Sequence, residues 1–211
     1  MIFNEFFNKF RLIEKLKSEI VGVCDTVVDL GCGRNSPIKA FSSQLIYSLG
    51  IDSHPASIAD SWQAKIHNAY LAADLFDACR KMADNSFAGA LALDVIEHLE
   101  KNDGRRLIGE MIRIAKKKVI IYTPNGFLKQ DRLPDNPAQE HLSGWSAEEM
   151  GRLGFKVYGM SGFKFLRQER GGLKYRPRLI WRPISSLTQI PAYYLPRLAF
   201  QILCVKTLNK I

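Results

Sequence analysis

Residues 26–36 read Thr26-Val27-Val28-Asp29-Leu30-Gly31-Cys32-Gly33-Arg34-Asn35-Ser36, and Pro37 follows. The β-branched start suits a short buried strand. Two glycines with one residue between them permit a tight turn in which the backbone adopts conformations that side chains disfavour. Ser36 before Pro37 supplies an N-cap and then a residue already set for the first helical position. The stretch therefore predicts strand, turn and helix, the opening unit of a sheet whose parallel strands are joined by crossover helices.

Outward from this unit the alternation repeats. Upstream, Phe3, Phe6, Phe7, Phe10, Ile13, Leu16 and Ile20 recur every three or four residues, so an amphipathic helix over residues 1–22 is expected. Downstream, strands are predicted at residues 45–51, 70–73, 88–93 and 118–122, with helices at 55–65, 76–82 and 103–115 between them. Five strands so connected imply a parallel, doubly wound α/β sheet. After Pro124 a polar loop runs to Gly144, Ser146 caps a short helix to about Leu153, and further strands are predicted at 155–160 and 198–206. Residues 162–197, with Pro177, Pro183 and Pro191 among aromatic and basic side chains, are expected to be an insertion of irregular or broken helix before the last strand.

At 211 residues and 46% apolar content, the chain fits a single domain, residues 1–211, with a sizeable core. Cys24, Cys32, Cys79 and Cys204 form no CxxC pair, which argues against a zinc cluster or disulfide framework and predicts reduced thiols in a cytoplasmic protein. No signal peptide is expected, and Pro191, Pro196 and Arg197 interrupt the best candidate for a membrane span. The net charge of +9 is localised: residues 164–211 hold ten basic residues and one acidic one, while residues 1–163 balance. Such segregation points to a polyanionic or membrane-surface partner, or to a solvated basic face.

The glycine turn sits where a doubly wound sheet binds its ligand. A dinucleotide fingerprint needs a third glycine where this chain has Ser36. Asp29, two residues ahead of the first glycine, would repel a pyrophosphate but attract a cationic amino acid. With Asp29-Leu30-Gly31-Cys32-Gly33, Gly50-Ile51-Asp52 and the run LDVIEHL at residues 93–99, the sequence resembles the class I S-adenosylmethionine-dependent methyltransferases. The likeness covers about residues 25–160 and is to the small-molecule, type 11 branch that includes quinone-biosynthesis methyltransferases.

That resemblance implies a Rossmann-like, doubly wound, mostly parallel seven-stranded sheet with helices on both faces and the last strand antiparallel. It implies S-adenosylmethionine as methyl donor and S-adenosylhomocysteine as product. Carried over by position, Asp29, Gly31, Cys32 and Gly33 would shape the pocket for the methionine portion, and Asp52 with Ser53 would meet the ribose hydroxyls. Asp74, flanked by Ala73 and Leu75, would face the adenine, and Asp94 with Val95 would border the methyl-transfer cleft. Asp52 and Asp74 could instead be helix caps.

Methyl transfer from a sulfonium is an in-line displacement in which alignment supplies most of the catalysis. A hydroxyl or protonated amine acceptor would gain from a base near neutral pKa, which makes His98 and His141 the catalytic candidates. If the chain turns helical after the fourth strand, His98 shares a face with Asp94. The Glu97-His98 and Glu140-His141 pairs do not by spacing alone establish a metal site, and none is assigned. The fourth strand ends Asp94-Val95-Ile96-Glu97 rather than Asp-Pro-Pro-Tyr, and no Pro-Cys dipeptide occurs, which disfavours DNA base methylation. The acceptor is thus read as a small or lipid-linked molecule methylated at oxygen, nitrogen or carbon. For the basic insertion, a lid or interface is the leading expectation, a peripheral membrane contact through residues 164–197 the second and RNA binding the third. The rival reading from another class is a non-catalytic S-adenosylmethionine-binding protein whose basic surface recruits RNA or membrane.

Overall fold

A computed structural model describes residues 11–132, 136–168 and 171–209. Among the described residues seven strands form one sheet: β1 (Thr26–Leu30), β2 (Tyr47–Asp52), β3 (Ala69–Ala72), β4 (Phe87–Leu93), β5 (Ala115–Pro124), β6 (Lys156–Phe163) and β7 (Ala199–Thr207). Their order is β3-β2-β1-β4-β5-β7-β6. The first five pair in parallel, and β7 runs antiparallel to both β5 and β6. This is the mostly parallel, Rossmann-like sheet that the sequence predicts. The order reverses between β1 and β4, and the carboxyl ends at such a reversal form the crevice where ligands bind.

Strand β4 is buried at every position, as a strand covered on both faces must be. Its side chains alternate between two cores. Ala90 and Ala92 pack with Leu107 and Met111 of helix α4 (Lys101–Ile114), while Leu91 and Leu93 pack with Leu16 and Ile20 of helix α1 (Leu12–Ile20). The remaining helices are α2 (Pro55–Gln63), α3 (Leu75–Arg80), α5 (Ala147–Arg152), α6 (Arg178–Leu187) and α7 (Gln189–Tyr194). Ser146 caps α5 as expected, its hydroxyl accepting from the Glu149 amide at 3.1 Å.

The helix expected after Ser36-Pro37 is not a full α-helix. Two short 3₁₀ turns, Pro37–Ala40 and Ser42–Gln44, stand in its place, separated by Phe41 with φ −145° and ψ 8°. Ile38 and Phe41 are both fully buried, and anchoring Ile38 before the break and Phe41 at it leaves few residues before β2 begins at Tyr47. Of the expected N-terminal helix, residues 1–10 lie outside the described residues, as do residues 169–170 of the insertion. Within the insertion expected at 162–197, Gly162 and Phe163 still belong to β6, a 3₁₀ turn and bends follow, and a broken helix then forms, α6 carrying Pro183 and giving way to α7 at Thr188.

Trp145 ties the loop after β5 to the fold. It is fully buried, and its indole nitrogen donates to the Ile96 carbonyl at 3.2 Å. The Lys101 ammonium lies 3.5 Å from its ring centroid. A Cβ at Gly104 would come within 2.4 Å of the indole, so α4 carries a glycine where the ring passes.

Candidate active site

The glycine turn closes at the carboxyl end of β1. Gly31 and Gly33 have φ of +73° and +57°, and the amides of Gly31 and Cys32 donate to the Ile51 carbonyl at 2.7 and 2.9 Å. Asp52, ending β2, is held by its neighbours: one carboxylate oxygen accepts from the Gly33 amide at 2.9 Å and the other from the His54 amide at 2.8 Å. Each oxygen keeps a further lone pair for a ligand hydroxyl. A Cβ built on Gly33 meets nothing within 4 Å, so the space above the turn is open.

Asp29 is placed differently from what its motif suggests. It is 1% exposed, sealed beneath the turn, and Oδ2 accepts from the Ser36 hydroxyl at 2.6 Å and from Nε2 of His67 at 3.1 Å. Its carboxylate is thus engaged beneath the turn rather than presented to the space above it. His67 is a buried partner of Asp29 that sequence reasoning missed; it lies just before β3 with no motif around it. The ring also explains Gly50, where a Cβ would approach His67 Nδ1 to 2.8 Å. Cys32 is buried, and that burial, with Asp29 and Asp52 nearby, pushes its thiol far up, so it packs rather than reacts.

Asp74 caps α3 through Oδ1, accepting from the amides of Phe76 and Asp77 at 2.9 and 3.1 Å. The Ala73 amide is committed to the Asp52 carbonyl at 3.1 Å, Leu75 begins α3 half-buried, and Ser53 lies exposed beside Asp52. Val95 is buried against Gly31, where a Cβ would stand 2.5 Å from Val95 Cγ2.

Beyond β4 the chain makes a single 3₁₀ turn, Ile96–His98, after Asp94 adopts φ +55°. A cavity of about 810 Å³ opens there, lined among others by Asp94, Glu97, His98, His141 and Gln201. The two histidine rings, 43 positions apart in the sequence, meet edge to face with centroids 4.8 Å apart. His98 Nδ1 lies 3.0 Å from the Glu140 carbonyl and His141 Nδ1 2.6 Å from the Leu128 carbonyl. A carbonyl only accepts, so each Nδ1 carries the proton and each Nε2 keeps its lone pair. Burial lowers the His98 pKa, with His141 adding to the effect. Burial raises the Glu97 pKa, and the Asp94 charge raises it further.

Residues 28–123 match the family model described as "Methyltransferase domain". The fold matches an S-adenosylmethionine-dependent methyltransferase from Archaeoglobus fulgidus at TM-score 0.58 and 18% identity, covering 97% of this chain and 99% of that one. It also matches magnesium protoporphyrin IX methyltransferase from Synechocystis PCC 6803 with bound S-adenosylhomocysteine, at TM-score 0.53 and 11% identity, over 97% and 82% of the two chains. A third match is phosphoethanolamine N-methyltransferase 2 from Haemonchus contortus in complex with S-adenosylmethionine, at TM-score 0.56 and 17% identity, over 93% and 51%. No curated protein sequence matches. Residues 28–123 are a class I, S-adenosylmethionine-dependent methyltransferase domain.

In this methyltransferase domain the glycine turn and the histidine cavity meet at the β4 end, where Val95 packs on Gly31 and Asp94 lines the cavity. Two more polar groups that sequence reasoning did not single out hold the carboxylates of the cavity: buried Thr123, whose hydroxyl donates to Glu97 Oε2 at 3.0 Å, and Gln201 on β7, which lines the cavity with its amide 3.5 Å from Asp94 Oδ1. No helix among the described residues is long and apolar enough to cross a membrane.

Proposed function

We propose that the methyltransferase methylates a hydroxyl-bearing acceptor, small or lipid-linked, held in the cavity beside Asp94, Glu97, His98 and His141. The carrying observation is a pair of histidines, each with Nε2 freed by a carbonyl-bound Nδ1, on a cavity whose wall residue Asp94 precedes Val95, the residue packed on Gly31 of the glycine turn. The open space above Gly33 and the anchored Asp52 carboxylate fit a nucleoside with a cationic amino-acid end. In that crevice S-adenosylmethionine supplies a methyl group on a sulfonium. The chain's own part is to hold the acceptor in line, keep water out and accept its proton, the last falling to His141 or His98.

The insertion supports a lipid-linked acceptor. Its residue Gly171 borders the same cavity, and α6 turns apolar side chains outward, with Leu179 88% and Leu187 59% exposed. Arg176, Arg178 and Arg182 flank them, a pairing suited to an anionic bilayer surface. His141→Ala tests the reading: turnover should fall on the order of 10²-fold or more while S-adenosylhomocysteine affinity survives. Unchanged turnover removes His141 from the proton path. Co-sedimentation with phosphatidylglycerol vesicles and with RNA at two salt concentrations tests the insertion. Vesicle binding lost in Leu179→Asp supports the membrane contact, whereas binding to RNA alone, or to neither, refutes it.

A further inference from the structure

The three groups that close the cavity are more than a proton relay. Glu97, His98 and His141 each offer one ligand atom, and these atoms all lie within 4.8 Å of one another. Metal bonds of about 2.1 Å would hold such atoms about 3 to 4 Å apart, so a shift of about an ångström closes the set around an ion. The supports are already built. Both imidazoles give their Nδ1 hydrogen to a backbone carbonyl, the arrangement that orients a metal-binding ring and raises the basicity of Nε2. Glu97 is fixed by the Thr123 hydroxyl at its carboxylate and, at its backbone carbonyl, by the amides of Leu142 and Ser143 at 2.8 and 3.0 Å. Asp94 and Glu97 take hydrogen bonds from the neutral donors Gln201 and Thr123, and both residues line the cavity.

We infer that Glu97, His98 and His141 form a binding site for a first-row divalent transition-metal ion. Two imidazoles and one carboxylate select such an ion over magnesium, which prefers an all-oxygen shell. Three protein ligands leave open positions, and these face the cavity. An acceptor that brings an oxygen donor could complete the shell there; this clause alone rests on the reading of the cavity as the acceptor site. A histidine that ligates an ion through Nε2 cannot take a proton there, so the proton-accepting role of His98 or His141 belongs to the ion-free protein and the positioning role to the loaded one.

The test needs no turnover. Protein stripped with a chelator is titrated with cobalt(II) chloride, following visible d–d absorption and heat. One saturable equivalent with nitrogen-type absorption is expected, not displaced by excess magnesium. His98→Ala and His141→Ala should each weaken binding on the order of 100-fold. His54→Ala, away from the cavity, should leave it unchanged. S-adenosylhomocysteine binding, measured on each variant, reports that the fold is intact. No saturable cobalt site in the wild type, or one that survives both cavity substitutions, overturns the proposal. Failure of the wild type to bind S-adenosylhomocysteine would count against the methyl-transfer reading instead, whatever the cobalt titration shows.

Discussion

Gly31→Ala and Gly33→Ala add the same methyl group to the same turn, yet the structure separates their effects. Both positions have positive φ, which costs an L-residue about 1–2 kcal/mol. At Gly33 the added carbon meets nothing within 4 Å, so strain is the whole stability cost. At Gly31 it would lie 2.5 Å from Val95 Cγ2 and 3.2 Å from Cγ1, inside a packed core. Overpacking of that kind adds about 1–3 kcal/mol, for a total of about 2–5 kcal/mol. A domain stable by about 5–15 kcal/mol would notice the difference.

Urea denaturation of the two variants, with Val95→Ala and the Gly31→Ala/Val95→Ala double variant, measures each part. Removing the valine methyls should return the clash portion, giving a coupling of about 1–3 kcal/mol between the two sites. Calorimetry supplies the complementary reading. The Gly33→Ala methyl projects into the open crevice, so S-adenosylhomocysteine affinity should fall by more than the modest stability loss suggests. If Gly31→Ala costs no more than Gly33→Ala, or the coupling is absent, the packing of the turn on Val95 is not what limits it. If Gly33→Ala binds the product as tightly as the wild type, the cofactor does not lie over this glycine.

Three further outcomes follow from other parts of the molecule. Trp145→Ala should cost about 3–5 kcal/mol in urea denaturation, because it empties a fully buried site that ties the loop after β5 to Ile96. His67→Phe removes the ring donor from sealed Asp29 and should cost about 1.5–3 kcal/mol by the same measurement, the range for a hydrogen bond to a charged group. Burial alone would raise the Glu19 pKa, but hydrogen bonds from Lys118 and Lys15 outweigh it and hold the carboxyl below its usual range. A lowered folded-state pKa stabilises above the unfolded value and loses that contribution as pH falls through the folded one. Glu19→Gln should therefore lower the melting temperature at neutral pH and converge with the wild type in acid, as a thermal scan across pH would record.

The sheet was legible because its signals are local. Thr26 to Leu30 and the seven buried positions of β4 carry their burial in their own composition, and the strand order follows from connections that cross in one hand. Edges were less legible. The sequence predicts β5 at residues 118–122, but it starts at Ala115, since Lys116 and Lys117 look like a solvated turn while Ala115 already pairs with Phe87 of β4, ahead of a register shift. The helix after Ser36 failed for a related reason: the cap and proline are present, but the burial of Phe41 sets the path of the chain and outweighs them.

Site residues divide along the same line. Asp52 and the glycines lie in motifs whose geometry is set within a few residues, and their placement follows from the strand ends. The histidine cavity depends on a long-range closure. Glu97 meets His141 because the amides of Leu142 and Ser143 dock on the Glu97 carbonyl and Trp145 seats the loop beneath Ile96, contacts that leave no periodic trace. The two Glu-His dipeptides were the visible hint, yet their symmetry misleads. Glu140 turns its carboxylate outward to Arg132 and gives only its backbone carbonyl to His98, while Glu97 gives its carboxylate to the cavity. Identical neighbours in the sequence thus enter the site through different atoms, and only the fold of the loop decides which ones.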